Sequence, residues 1–139
     1  VDEDPSGVGL LDTSVVIAVD EVDASLLPAA IAISTLSLAE LTTGPLTAAD
    51  DLERVRRQNR LQRFESGVEA LPFDSDCARA YGQVYAAVTA QGRKARGARA
   101  VDLMIAATAL ANQLPLYTLN AEDLHGLDGL IEIVDLRQR

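Results

Sequence analysis

This chain is poor in the residues that staple or redox-switch a small protein. Its 139 residues hold one cysteine, Cys77, so no internal disulfide can form and a reducing cytoplasm fits. Cys77 falls in the helix-like stretch D-S-D-C-A-R-A-Y, with no histidine near it in sequence to activate a thiolate. That marks a small core residue rather than a nucleophile. The one histidine, His125, reads as a loop residue. No apolar run reaches 18 residues, so no helical membrane span is expected. The start, Val1-Asp2-Glu3-Asp4-Pro5, lacks a basic segment followed by an apolar one, so no signal peptide is expected either. A glycine-rich phosphate cradle is missing, which removes nucleotide-binding enzymes of that kind. Lysine and arginine are absent from the first 53 residues, and the net charge of −9 argues against nucleic-acid binding by bulk attraction.

What is present suffices for one domain. The chain is 48% hydrophobic with only 4% aromatics, so its core rests on aliphatic side chains, chiefly Ala and Leu. Residues 1–7 read as a disordered lead-in and 8–139 as a single domain. Apolar runs at 8–12, 30–34, 68–73, 115–119 and 130–134 read as strands. Between them lie helical stretches. One follows Thr13-Ser14; one carries Glu40, capped by Ser34 or Thr35 and stopped by Gly44-Pro45. One runs from Thr47 to about Phe64, one from Asp74 or Ser75 to about Ala90, and one over roughly 101–112. Gln91 to Arg99 reads as a loop. Strands alternating with helices predict an α/β domain: a mostly parallel sheet of four to five strands covered on both faces.

Positive charge is concentrated: ten of the twelve cations lie between Arg54 and Arg99. Arg56, Arg60 and Arg63 fall on one helical stripe, and Arg93, Lys94, Arg96 and Arg99 form a second cluster. Either these are solvated surface or they form a phosphate-binding rim around an acidic centre.

The acids supply that centre. Asp12 in G-L-L-D-T-S-V-V-I, Glu40 in S-T-L-S-L-A-E-L and Asp102 in A-V-D-L-M-I-A-A-T-A-L each interrupt a stretch that should be buried or half-buried. Asp123 follows in Y-T-L-N-A-E-D-L. Burying a lone carboxylate costs several kcal/mol unless it is paired or binds a metal. Asp12 ends a strand, Glu40 sits in the helix after one, and Asn120 and Asp123 follow another. These are the places where open α/β sheets bind ligands. Asp102 shares a helical face with Ile105, Ala106, Ala109 and Leu110, so it is expected to point inward from the first helical turn. If the four acids converge, they make a site for a hard divalent cation and point to metal-assisted hydrolysis. The absence of Cys and His from the four blocks favours Mg²⁺ or Mn²⁺ over Zn²⁺.

The four blocks L-L-D-T-S-V-V-I, L-S-L-A-E-L, V-D-L-M-I-A-A-T-A-L and L-Y-T-L-N-A-E-D-L resemble the acidic motifs of PIN-domain ribonucleases, most of all the VapC-type toxins of bacterial toxin–antitoxin pairs. The likeness runs from about residue 8 to 136. It implies a three-layer α/β/α PIN-like fold and Mg²⁺- or Mn²⁺-dependent endonucleolytic cleavage of RNA by an activated water. Asp12, Glu40, Asp102 and Asp123 are implied as the metal-holding, catalytic acids. The fourth block departs from the commonest pattern, with Asn120 where many relatives carry Asp and Leu124 where many carry Phe; either Asn120 or Asp123 completes the site. Ser14 and Thr118, with Asn120, would orient the acids through hydrogen bonds. Arg93, Arg96 and Arg99, just before Asp102, are expected to hold RNA phosphates. The resemblance further implies a homodimer and a protein antitoxin whose tail covers the active site.

Other readings fit less well. A receiver-like signalling domain needs an acid at the end of the third strand and a lysine after the fifth, whereas here the third ends Leu71-Pro72-Phe73 and the only lysine is Lys94. An Asp-x-Asp phosphatase fails because Ser14 occupies the second position. A catalytically inactive PIN-like module that only binds RNA or protein is the alternative, and the intact core acids argue against it.

Overall fold

The computed structural model describes residues 7–92 and 98–138. The expected lead-in therefore lies, apart from Gly7, outside the described residues, as do Arg93, Lys94 and Arg96. Five strands form one sheet: β1 (Val8–Leu11), β2 (Ala30–Ser34), β3 (Glu69–Leu71), β4 (Leu116–Thr118) and β5 (Ile133–Asp135). Their order is β3-β2-β1-β4-β5 and every neighbouring pair is parallel. Five helices cover it: α1 (Thr13–Ile17), α2 (Thr35–Thr43), α3 (Asp51–Gly67), α4 (Ser75–Ala90) and α5 (Ala98–Asn112).

Alternation along the strands creates the three layers. Leu10 and Ala32 face one core with Val84, Val88, Leu103 and Ile105 of α4 and α5. Leu11 and Ile33 face the other with Val15, Val16, Leu41 and Phe64 of α1, α2 and α3. Both faces of the central strands are buried, as a parallel sheet requires. The close fit of β1 against β4 needs a glycine. A Cβ at Gly9 would stand 2.5 Å from the Tyr117 ring. Cys77 is fully buried in α4, in keeping with a core role. Among the described residues no helix is long and apolar enough to cross a membrane.

Several boundaries differ from the sequence reading. α3 begins at Asp51 rather than Thr47, because Pro45–Thr47 forms a separate 3-10 turn and Asp50 accepts a bond from the Glu53 amide at 2.8 Å. β5 starts at Ile133 rather than 130, since the Leu130 and Ile131 amides bond back to Leu127. α5 begins at Ala98, which puts Arg99 in the helix rather than the loop and Asp102 beyond the first turn.

Candidate active site

The site lies beyond the carboxyl ends of β1 and β4. β1 and β4 are adjacent but far apart in sequence, which brings Asp12 beside Thr118. The Asp12 amide donates to the Tyr117 carbonyl at 3.0 Å and so continues the ladder past the strand. Asp12 then caps α1, its Oδ1 accepting from the Val15 amide at 3.2 Å and from Ser14 Oγ at 2.6 Å. Its Oδ2 accepts from Thr118 Oγ1 at 2.5 Å. The two hydroxyls are themselves fixed: Ser14 Oγ accepts from the Leu119 amide at 3.2 Å, and Thr118 Oγ1 from the Asn120 amide at 2.9 Å. Burial pushes the Asp12 carboxyl above its ordinary pKa, while the Ser14, Thr118 and Val15 bonds pull it back.

Glu40 projects from α2 and is exposed. Its Oε1 accepts from Thr13 Oγ1 at 2.5 Å. Thr13 Oγ1 also lies 2.8 Å from Ser37 Oγ. With the Thr13 proton committed to Glu40, Ser37 donates to Thr13, giving a relay that orients Glu40. Sequence reasoning missed Thr13 and Ser37. The i, i+3 spacing of Ser37 and Glu40 on one helix was the available signal.

Asp102 stands in the second turn of α5 and is exposed. The inward-facing, dipole-stabilised position expected for it is not found, because the helix starts earlier and its N-terminal end opens onto the cleft. Its carboxyl is pushed up to about 6 by partial desolvation against the cleft wall, then by the charges of Asp12, Glu40 and Asp123, with Arg99 opposing. Like charges 4 Å apart repel by about 1 kcal/mol in water and about 4 kcal/mol at an effective dielectric of 20. The charges of acids from three other elements therefore reach Asp102. Asp12, Ser14, Asp102, Asn120, Asp123 and the side chains of Leu116 and Leu124 line a cleft of about 50 Å³ there.

Asp123 sits on a 3-10 turn, Ala121–Leu124. Arg99 Nη1 donates to its main-chain carbonyl at 2.8 Å, and Nη2 lies 3.7 Å from its Oδ1. Asn120 lines the same cleft through the residue preceding that turn. Of the α3 arginines, Arg56 and Arg57 pair with Glu53 and Arg63 with Asp20, while Arg57 and Arg60 line a cavity beside Glu40. His125 is exposed at the end of the Asp123 turn.

Among the described residues no three of these side chains stand close enough together to form a complete ligand group as they lie. The donor set is nonetheless all oxygen, and carboxylate oxygens suit Mg²⁺ and Mn²⁺, which keep several waters and take few direct protein ligands. The chemistry of these donors fits such a cation.

The family model of the PIN domain matches residues 9–129. The chain is 36% identical over 132 residues to "Ribonuclease VapC5" of Mycobacterium tuberculosis, covering 93% of this chain and 94% of that protein. It is 36% identical over 104 residues to "Ribonuclease VapC8" of the same species, covering 74% of this chain and 91% of that one. The solved VapBC-5 structure, a member of the VapBC family of toxin–antitoxin systems from M. tuberculosis, superposes with a TM-score of 0.81 at 37% identity, covering 93% of this chain and 98% of that chain. The five-stranded parallel sheet flanked by helices is the fold of these relatives. The chain belongs to the PIN-domain family, among the VapC-type proteins.

Proposed function

We propose that this chain is a divalent-metal-dependent endoribonuclease and the toxin of a toxin–antitoxin pair, working in the cytoplasm as a homodimer and restrained by a protein antitoxin. The observation that carries this reading is the charge of Asp12, Glu40 and Asp123 acting together on Asp102. A carboxylate disfavoured by three neighbouring acids, at the ligand-binding end of a parallel sheet, is balanced by a cation. The 36% identity to a protein named as a ribonuclease supports RNA as the substrate, and the likeness to a member of the VapBC toxin–antitoxin family supports the antitoxin.

In this reading Asp12, Asp102, Glu40 and Asp123 hold Mg²⁺ or Mn²⁺. The bound cation supplies Lewis-acid stabilisation of phosphate charge and a water acidic enough to attack near neutral pH. Ser14 and Thr118 keep the Asp12 oxygens aimed, and Thr13 does the same for Glu40. Asn120, whose amide bonds to Thr118 Oγ1, supports that wall of the cleft. Arg93 and Arg96 hold RNA phosphates beside the cut.

The test is 5′-end mapping of total cellular RNA after incubation with the purified chain and Mg²⁺ or Mn²⁺, paired with Asp102→Asn. Metal-dependent ends that vanish in the variant are expected and name the target RNA. No difference between the two proteins, in an antitoxin-free preparation that binds Mn²⁺, would turn the reading toward a non-catalytic binding module.

A further inference from the structure

The turn that carries Asp123 has weak internal support. Asn120 provides no side-chain cap for it, and the backbone bonds at its ends are Asp123 N to Asn120 O at 2.9 Å and His125 N to Glu122 O at 3.3 Å. Buried Leu124 anchors one side. Glu122 of the turn accepts from Arg137 Nη2 at 3.0 Å, and Asp123 itself is held by Arg99, whose guanidinium donates to its main-chain carbonyl at 2.8 Å and approaches its carboxylate at 3.7 Å. A carbonyl is neutral, so this is a tie on the main chain as well as an ion pair. Only a planar fork makes both contacts from one side chain. Arg99 and Asp102 stand three apart on α5 and so share a face. The Arg99 side chain is 28% exposed, mostly enclosed rather than reaching outward.

We propose that Arg99 is a positioning residue that ties the Asp123 turn to α5 and sets Asp123 opposite Asp102, instead of contacting RNA. One face of α5 thus carries one acid of the site and the strap that places another. This inference rests on the metal-dependent reading above.

Mn²⁺ affinity, followed by electron paramagnetic resonance, tests it on the full chain without RNA. Asp102→Asn serves as the control for a lost ligand. Arg99→Ala is expected to weaken Mn²⁺ binding about 10- to 100-fold, the usual cost of removing a group that orients a ligand. Arg99→Lys keeps the charge but not the fork, and is expected to recover only part of that loss. RNA affinity of the metal-free wild type, Arg99→Ala and Arg99→Lys is measured alongside across a salt series, and its slope should be the same in all three. Unchanged Mn²⁺ affinity in Arg99→Ala overturns the inference. So does a salt slope reduced by about 1 and restored by lysine, which binds phosphate well as a point charge. A wild-type chain that binds no Mn²⁺ overturns the metal-dependent reading itself, and the inference with it, so the wild type alone separates the two failures.

Discussion

Asp12 and Asp102 face one cleft, and both carboxyls are raised above their ordinary pKa, yet they are maintained in opposite ways. Asp12 sits at the seam of β1 and β4, where three donors converge on its oxygens and two of those donors are fixed by further backbone bonds. Among the described residues no hydrogen-bond donor serves the Asp102 carboxylate. Its neighbours are three acids and Arg99. The sheet wall is therefore organised in advance of any ligand, and the helix wall is balanced only by charge. The difference teaches which part of the site is rigid. The Ser14 and Thr118 hydroxyls spend their bonds on Asp12, and the helix keeps an exposed acid whose charge awaits a cation.

The largest effect expected from breaking this contrast comes from Thr118→Val. Thr118 is fully buried and supplies the sole bond to Asp12 Oδ2 among the described residues. Valine matches its shape but leaves that oxygen without its donor. Hydrogen bonds to a carboxylate lower its pKa, so their loss raises the Asp12 pKa further. Mn²⁺ affinity should fall about 10- to 100-fold, and the cleavage rate–pH profile should move to higher pH. A titration giving wild-type affinity would mean that the sheet wall is no more organised than the helix wall.

A smaller effect belongs to the helix wall and has the opposite sign. The Asp102 carboxyl is pushed up to about 6 from an ordinary value of 3.8. Between those values the folded chain binds more protons than the unfolded one, so stability is fully present below the lower value and is lost as pH rises through the higher. Because Asp102 is exposed, the loss is screened to about 1 kcal/mol. Metal-free Asp102→Asn should therefore be more stable than wild type at pH 7 and equal to it near pH 4, by urea denaturation. Saturating Mn²⁺ stabilises only a chain that binds it, so the order should reverse in its presence. A variant less stable than wild type at pH 7 without metal would show that Asp102 is not held in repulsion.

This contrast was only half legible in the sequence. Asp12 ending an apolar run gave the strand, because strand burial is a local rule; the cap was read at Thr13-Ser14, one residue late, because Asp12 itself caps α1 and Thr13 already opens the helix. The parallel sheet and its alternation with helices were legible for the same reason. Thr118 was found as a support for the acids, but only through its resemblance to a known block, since its partner lies 106 residues away. The state of Asp102 was not legible. Periodicity placed it on the face of Ile105 and Ala109, which are fully buried, but it could not tell that the helix starts at Ala98, which leaves Asp102 in the second turn, exposed and lining the cleft. For the arginine stripe on α3, spacing showed Arg56, Arg60 and Arg63 on one face but not that Glu53 pairs with Arg56 and Asp20 with Arg63.

The smallest expected effect sharpens the boundary of the helix wall. His125 lies two residues from Asp123 and is the one histidine in the chain, the residue type most often used to move protons in catalysis. It is exposed, and its described bond is made by its backbone amide, to the Glu122 carbonyl at 3.3 Å. His125→Ala keeps that amide, and an exposed substitution of this kind shifts stability by about 0.5 kcal/mol or less. The cleavage rate should stay within about twofold of wild type, a change that corresponds to only about 0.4 kcal/mol of barrier. A tenfold fall with unchanged Mn²⁺ affinity would put an imidazole into the proton transfers and end the assignment of this wall to carboxylates alone. A rate that holds leaves the acids, and the one arginine bound among them, as the groups on which the helix wall acts.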